Sequence, residues 1–436
     1  MADRRQKPIV KIASHARFSD MTNIRRHRPD YLIVLYMGLL MLLGLIIMYA
    51  IGPQRANVLN NAYGSNYSNT YFFVKQAISL SLALFVFVVM SVLPYTWVTK
   101  YADKLVLLSL AACALLAIAG WANWGIAQQT LGATRWFNLG SLGTLQPAEL
   151  LKFSLLIFAA SFLGAKSSQG KINDLQDTLI PLAIIVCISM LFIVVIQKDL
   201  GTGISLVSII VSMLFVGGIN KKNSLMALLL LVLGGVMLIV IAPHRIERIT
   251  TYLKGDDSST KDSSSYHIEH AKIAIGTGGL FGVGIGNSVQ ATGYLPEAIN
   301  DSVFAIMGEM FGFVGLMTIL AIFVALLLRL LKVMDHLVDM RLKLLAAGVF
   351  GWFGSHVILN VASMVGVFPL TGITLPLLSF GGTSILFITA ALGLVFQLSR
   401  YTVHSSHLKE AQHENSSSRR GIGRSRYSSR SSVTRN

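Results

Sequence analysis

Apolar runs of about 18 or more residues recur along most of this chain, and each is long enough to cross roughly 30 Å of hydrocarbon as a helix. They fall at 31–51, 72–93, 104–121, 147–165, 178–196, 201–218, 223–242, 301–328, 344–366 and 381–399. The pattern predicts an all-α polytopic membrane protein built as a single bundle of ten transmembrane helices. The runs meeting at 196–201 are close enough to form one broken helix. Composition agrees, because 53% of the 436 residues are hydrophobic and 13% charged, outside the range of ordinary soluble domains. The first run is too long for the apolar core of a cleavable signal peptide and reads as the first span.

Basic residues orient the bundle. Of the 36 Lys and Arg, 16 lie in the tails 1–30 and 399–436, where they flank spans. They read as topology signals and contacts with anionic membrane lipids, with no nucleic acid partner implied. Outside the tails and the longest loop, 10 basic residues fall on one side of the spans and 3 on the other. The positive-inside rule then predicts N-in/C-in, with the 243–300 loop, between helices 7 and 8, extracytoplasmic. The organisation expected is a basic cytoplasmic tail (1–30), a membrane domain (31–400) and a Ser/Arg-rich cytoplasmic tail (401–436) too polar to build a core. Cys113 and Cys187 sit inside apolar runs and read as small core residues.

Polar groups that could carry chemistry gather at the extracytoplasmic ends of the spans. Glu297, Asp301 and Glu309 stand where the long loop enters the eighth run, and a carboxylate at a membrane edge is a site hypothesis by default. Asp301 also suits a helix N-cap, and if the helix extends back to Glu297 the two share a face. Two such carboxylates can act as a base with an electrostatic neighbour, or hold a divalent cation. Glu149 and Lys152, at i and i+3, can pair inside the fourth span. Lys75 can snorkel or line a cavity for phosphate. Asp199 can cap the sixth span after the tight Gln197–Thr202 turn. Arg135 lies in 122–146, a segment apolar enough to re-enter the membrane. His267, Glu269 and His270 could hold a metal but lack a fourth ligand. The glycine run Gly276–Gly286 matches no phosphate-binding fingerprint and reads as close backbone packing or a gate. Glu309 and Asn360 read as buried polar contacts. A transporter with a polar cavity and an enzyme acting on a membrane-embedded substrate both fit.

Six segments occur in order: Gly132-Ala-Thr-Arg-Trp136, Gln146-Pro-Ala-Glu-Leu-Leu-Lys152, Gln197-Lys-Asp-Leu-Gly-Thr202, Gly278-Gly-Leu-Phe-Gly-Val-Gly284, Tyr294-Leu-Pro-Glu-Ala298 and Leu375-Pro-Leu-Leu-Ser-Phe-Gly-Gly-Thr-Ser384. In these the chain resembles the SEDS family (shape, elongation, division and sporulation), which includes FtsW and RodA. The resemblance covers about 31–400. It implies a peptidoglycan glycosyltransferase that polymerises lipid II in the bacterial cytoplasmic membrane with a class B penicillin-binding protein. It implies a catalytic aspartate at Asp301, acting as general base on the acceptor 4-hydroxyl. Lys75, Arg135, Lys152 or a divalent cation (Mg or Mn) would offset the leaving pyrophosphate, and Glu149, Asp199 and Glu297 complete the expected substrate-binding set. Gly286-Asn-Ser-Val-Gln290 with Tyr294-Leu-Pro-Glu297 resembles the division branch, which implies a septal location and other divisome membrane proteins as partners. The elongation branch, a polyprenyl-sugar flippase and a scaffold for the penicillin-binding protein are the alternatives. The chain departs from the family pattern twice. Lys198 replaces a proline, predicting a looser turn, and Ile299-Asn-Asp-Ser302 replaces His-Thr-Asp-Phe.

Overall fold

The computed structural model describes residues 28–130, 133–140, 143–220 and 263–402. The run at 223–242, most of both tails and the first part of the long loop lie outside the described residues. Within them, eight helices are long and apolar enough to cross a membrane: α1 (Tyr31–Tyr63), α2 (Tyr71–Val92), α4 (Ala102–Trp121), α5 (Pro147–Ser168), α6 (Leu175–Ile196), α9 (Val303–His336), α10 (Met340–Met364) and α11 (Gly382–Tyr401). The apolar helix α7 (Leu200–Val216) is shorter. Two more do not span: α3 (Tyr95–Lys100) and α8 (Ser263–Thr277). The protein is an all-α, multi-pass membrane protein.

The helices form inner and outer layers. α5, α10 and α11 have 72%, 67% and 78% of their apolar windows buried, whereas α1, α2, α4, α6 and α9 have between 28% and 39%. The outer helices therefore turn most of their apolar surface to lipid, and the three inner ones supply the packed centre. α10 packs on α5, α7 and α9, and α11 packs on α2.

Local chemistry sets the helix ends. Asp30 caps α1 by accepting from the Leu32 N–H at 3.1 Å, and Asp339 caps α10 by accepting from Arg341 N–H. α1 runs past its apolar stretch, through Pro53, to Gly64 in the left-handed region. Its polar extension reaches the long loop, with Gln54 Nε2 donating to the Gly286 carbonyl.

Two loop segments are more ordered than the sequence indicated. Residues 122–146, expected to re-enter the membrane, hold a three-stranded antiparallel sheet, β1 (Ala127–Thr130), β2 (Ala133–Asn138) and β3 (Thr144–Leu145), in the order β1-β2-β3. In the long loop α8 forms, and the glycine run that follows is stitched into a break in α9. Gly312, at φ 67° and ψ −169°, interrupts that helix. The carbonyls freed at Glu309 and Met310 accept from Val283 and Gly284 N–H, while Phe313 and Val314 N–H donate to Gly279 and Leu280. Four backbone groups that a helix break would leave unpaired in a membrane are thereby satisfied. Only glycine allows this approach, since a Cβ on Gly278 would lie 1.9 Å from the Gly308 carbonyl oxygen. Cys187 departs from its expected core position and faces outward, whereas Cys113 is buried.

Candidate active site

Seven stretches converge at one end of the bundle. They are the sheet, the starts of α2, α5 and α7, the turn before α9, the end of α10 and the loop before α11. Hydrogen bonds tie them together. Arg135 on β2 donates to the carbonyls of Gln197 (3.1 Å) and Lys198 (2.7 Å). Gln146 donates to Asp199, Thr383 to the Thr144 carbonyl and Gln76 to the Ser379 carbonyl. Phe380 N–H donates to the Ile299 carbonyl at 2.8 Å.

Glu149 and Lys152 pair at 2.8 Å with both side chains almost fully buried. Lys152 Nζ also lies 3.2 Å from His356 Nε2 and 4.9 Å from the Trp352 ring centroid. Trp352 Nε1–H donates to the same His356 nitrogen. Two donors on Nε2 require its lone pair, so the imidazole is neutral and keeps its proton on Nδ1, directed at the Thr374 carbonyl. The lysine charge is thus balanced inside the bundle. Lys75 is different: it is half-buried, with its ammonium 5.9 Å from the centroid of Tyr71 one turn earlier.

The Gln197–Thr202 turn explains the first departure from the family pattern. Lys198 has φ 53°, which proline, fixed near −65°, cannot adopt. Its carbonyl is one of the two that Arg135 holds. Asp199 caps α7, accepting from Thr202 N–H at 3.0 Å and from its hydroxyl at 2.8 Å.

Asp301 lies in the turn before α9, whose N-cap is Ser302 and carries no side-chain cap bond. The aspartate therefore does not cap the helix, and the helical face it was expected to share with Glu297 does not form. Glu297 instead takes φ 49°, an uncommon conformation for a residue with a Cβ, and its carbonyl accepts from Asn300 and Ser302 N–H. Asn360, one turn beyond His356 on α10, holds the Asp301 backbone by donating to its carbonyl at 2.7 Å and to that of Ile373 at 2.8 Å. The Asp301 side chain is buried, and its Oδ1 has no hydrogen-bond partner. Burial first, then the Glu297 charge, push its carboxyl from 3.8 to about 7, against hydrogen bonding from its own backbone and from Ser302.

Glu309, inside α9, anchors the 288–290 segment of the long loop, accepting from the Ser288 hydroxyl and from Val289 and Gln290 N–H. His267 and His270 on α8 meet Ser302 and Gln290, respectively. No group of three or more His, Cys, Asp or Glu side chains gathers among the described residues. A divalent cation at Asp301 would have Glu297 as the neighbouring carboxylate, with water or substrate phosphate supplying the rest of its shell. His356 was not singled out in the sequence, Ser302 stood out only as a departure from the family pattern, and His267 only as a possible metal ligand. The available signal was a histidine within a span, at position 356, where polar side chains are costly.

A family model described as a cell cycle protein, covering FtsW, RodA and SpoVE, matches residues 30–404. The chain is 32% identical over 380 residues to the stage V sporulation protein E of Bacillus subtilis, covering 87% of this chain and 99% of that one. It is 31% identical over 372 residues to the Probable peptidoglycan glycosyltransferase FtsW of Nitrosomonas europaea, covering 85% and 92%. A chain from a peptidoglycan synthase complex that coordinates polymerization and crosslinking superposes with a TM-score of 0.65 at 25% identity, covering 85% and 98%. The chain belongs to the SEDS family of FtsW, RodA and SpoVE.

Proposed function

We propose that this protein is a peptidoglycan glycosyltransferase polymerising lipid II at the outer face of the bacterial cytoplasmic membrane, with Asp301 as general base. The observation that carries the reading is the Asp301 carboxyl itself. It is buried beside a second acid, has an unpartnered oxygen and titrates near the working pH, the condition in which a carboxylate can both accept and release a proton. Family membership supports the reaction class. The acceptor 4-hydroxyl attacks the anomeric carbon of an undecaprenyl-pyrophosphate-linked sugar. Its proton passes to Asp301 as the glycosidic bond forms and the pyrophosphate leaves. No nucleotide is needed, because the donor arrives activated.

The cations divide by geometry. Lys75 and Arg135 are half-buried, and we assign them to the leaving pyrophosphate. Lys152, fully buried and matched to Glu149, His356 and Trp352, holds the helices on which the site stands. Asp199 shapes the turn that Arg135 grips, and Glu297 raises the affinity of Asp301 for its proton.

In this reading the chain has ten spans, N-in/C-in, with the span at 223–242 completing the count and the 243–300 loop outside the cell. The division-like Gly286–Gln290 and Tyr294–Glu297 segments support a role at the septum with a class B penicillin-binding protein and other divisome proteins. The test is glycan synthesis by the purified protein with lipid II and a divalent cation, with and without that partner, for wild type and Asp301→Ala. Long strands from wild type alone support the assignment. Strands from Asp301→Ala remove the base, and movement of labelled lipid without polymer replaces the enzyme with a flippase.

A further inference from the structure

The second departure from the family pattern, Ser302 after Asp301, has a partner on a different element. His267 lies on α8, 35 residues earlier, and its Nε2 is 2.5 Å from the Ser302 hydroxyl oxygen in a buried contact. That hydroxyl donates its one proton to the Pro296 carbonyl at 2.8 Å, so it accepts from His267 and the imidazole carries a proton on Nε2. The chain His267–Ser302–Pro296 thus closes the 296–302 turn, in addition to the clamp that Asn360 places on the Asp301 carbonyl. His267 is 8% exposed and Ser302 fully buried, so water does not substitute for either partner.

We propose that His267 and Ser302 form a positioning pair for Asp301, fixing the carboxylate that receives the acceptor proton and tying it to the α8 segment of the long loop. The inference rests on Asp301 being the base. The 296–302 turn carries a carboxylate with an unpartnered oxygen and a left-handed Glu297, and a misplacement of about 1 Å at a proton-transfer site can lower a rate by about 10²-fold. Ser302 also bears on titration, since its N–H favours the ionised carboxyl and is held in place by the turn that the hydroxyl closes. Several ionisable groups surround the turn. Glu297 belongs to it, His267 reaches it from α8, and Lys272 of the same helix lies against Gly366. His270 stacks on Tyr266 and binds Gln290, and Glu309 on α9 is committed to 288–290.

The experiment measures polymerisation rate against lipid II concentration and pH for wild type, His267→Ala, Ser302→Ala, the double variant, His267→Gln and Asp301→Ala. Each of the two alanine variants should lower kcat by about tenfold with a smaller change in KM. The double variant should be no worse than the poorer single, because the two side chains make one contact. His267→Gln, which keeps a donor at similar reach, should recover most of the lost rate. In Ser302→Ala the acid limb of the rate profile should move to higher pH. If His267→Ala does not fold, Ser302→Ala and His267→Gln still carry the comparison. Wild-type rates and an unshifted limb in both alanine variants, with Asp301→Ala inactive, overturn the pair while leaving the base in place. Polymer from Asp301→Ala overturns both.

Discussion

Two buried acids at the same end of the bundle meet opposite fates. Glu149 is 3% exposed and Asp301 9% exposed, and each has one oxygen without a hydrogen-bond partner. Glu149 has Lys152 at 2.8 Å, and that lysine is embedded in an indole and an imidazole. Among the described residues no ion pair reaches Asp301; its charged neighbour is Glu297, and its carboxyl is pushed up to about 7. A balanced buried charge stiffens a structure but has little chemistry left to offer. An unbalanced one destabilises the folded state and is held there by its surroundings. The difference separates the residues that build the bundle from the one proposed to act.

Breaking the balanced site should have the largest effect. Lys152→Met leaves Glu149 buried and uncompensated and should lower stability by about 3–5 kcal/mol, read as a fall in detergent-phase unfolding temperature. Adding Glu149→Leu should restore much of that loss, because an apolar pair of similar volume fits the same space. No restoration would mean that the pair's charge has a role beyond packing. Gly278→Ala comes next. Its Cβ meets the Gly308 carbonyl, so the stitch across the α9 break must shift, at a cost of about 1–3 kcal/mol. An unchanged unfolding temperature would show that the break is not held as described.

Treating the unbalanced site in the same way should produce the opposite sign. The folded-state carboxyl of Asp301 lies above its ordinary 3.8, at about 7. The protonated form therefore favours folding. That contribution is full below about pH 4 and is lost as pH rises through 7. Asp301→Asn mimics the protonated acid, so at pH 8 it should stabilise the protein by about 0.5–2 kcal/mol while abolishing polymerisation. Destabilisation by this variant at pH 8 would show that the carboxylate is compensated by something other than the groups named above.

Much of this was legible in the sequence because hydropathy is local. The spans follow from runs of apolar residues, with α1 overshooting its run to reach the loop. The Glu149–Lys152 pair follows from i, i+3 spacing on a helix, and the Asp199 cap from its place before α7. The rest depends on contacts across long separations. Gly312 is a glycine in an apolar run, and nothing near it announces that residues 279–284 will fill its break. Asn360 reaches Asp301 over 59 positions, and His356 reaches Lys152 over 204. Lys198 illustrates a substitution whose meaning is conformational. Where the family pattern has proline, this backbone enters a region proline cannot, and the turn is secured by Arg135 rather than left loose.

The most direct test of the central claim is the pH dependence of lipid II polymerisation by the wild-type protein, assayed in the presence of a class B penicillin-binding protein, between pH 5 and 9. A base that must be ionised, with its carboxyl near 7, predicts a rate that is level above about pH 7.5 and falls about tenfold for each unit below 7. A rate that stays level down to pH 5, with the limb near the ordinary carboxyl value, would contradict a buried, poised aspartate and place the proton transfer elsewhere.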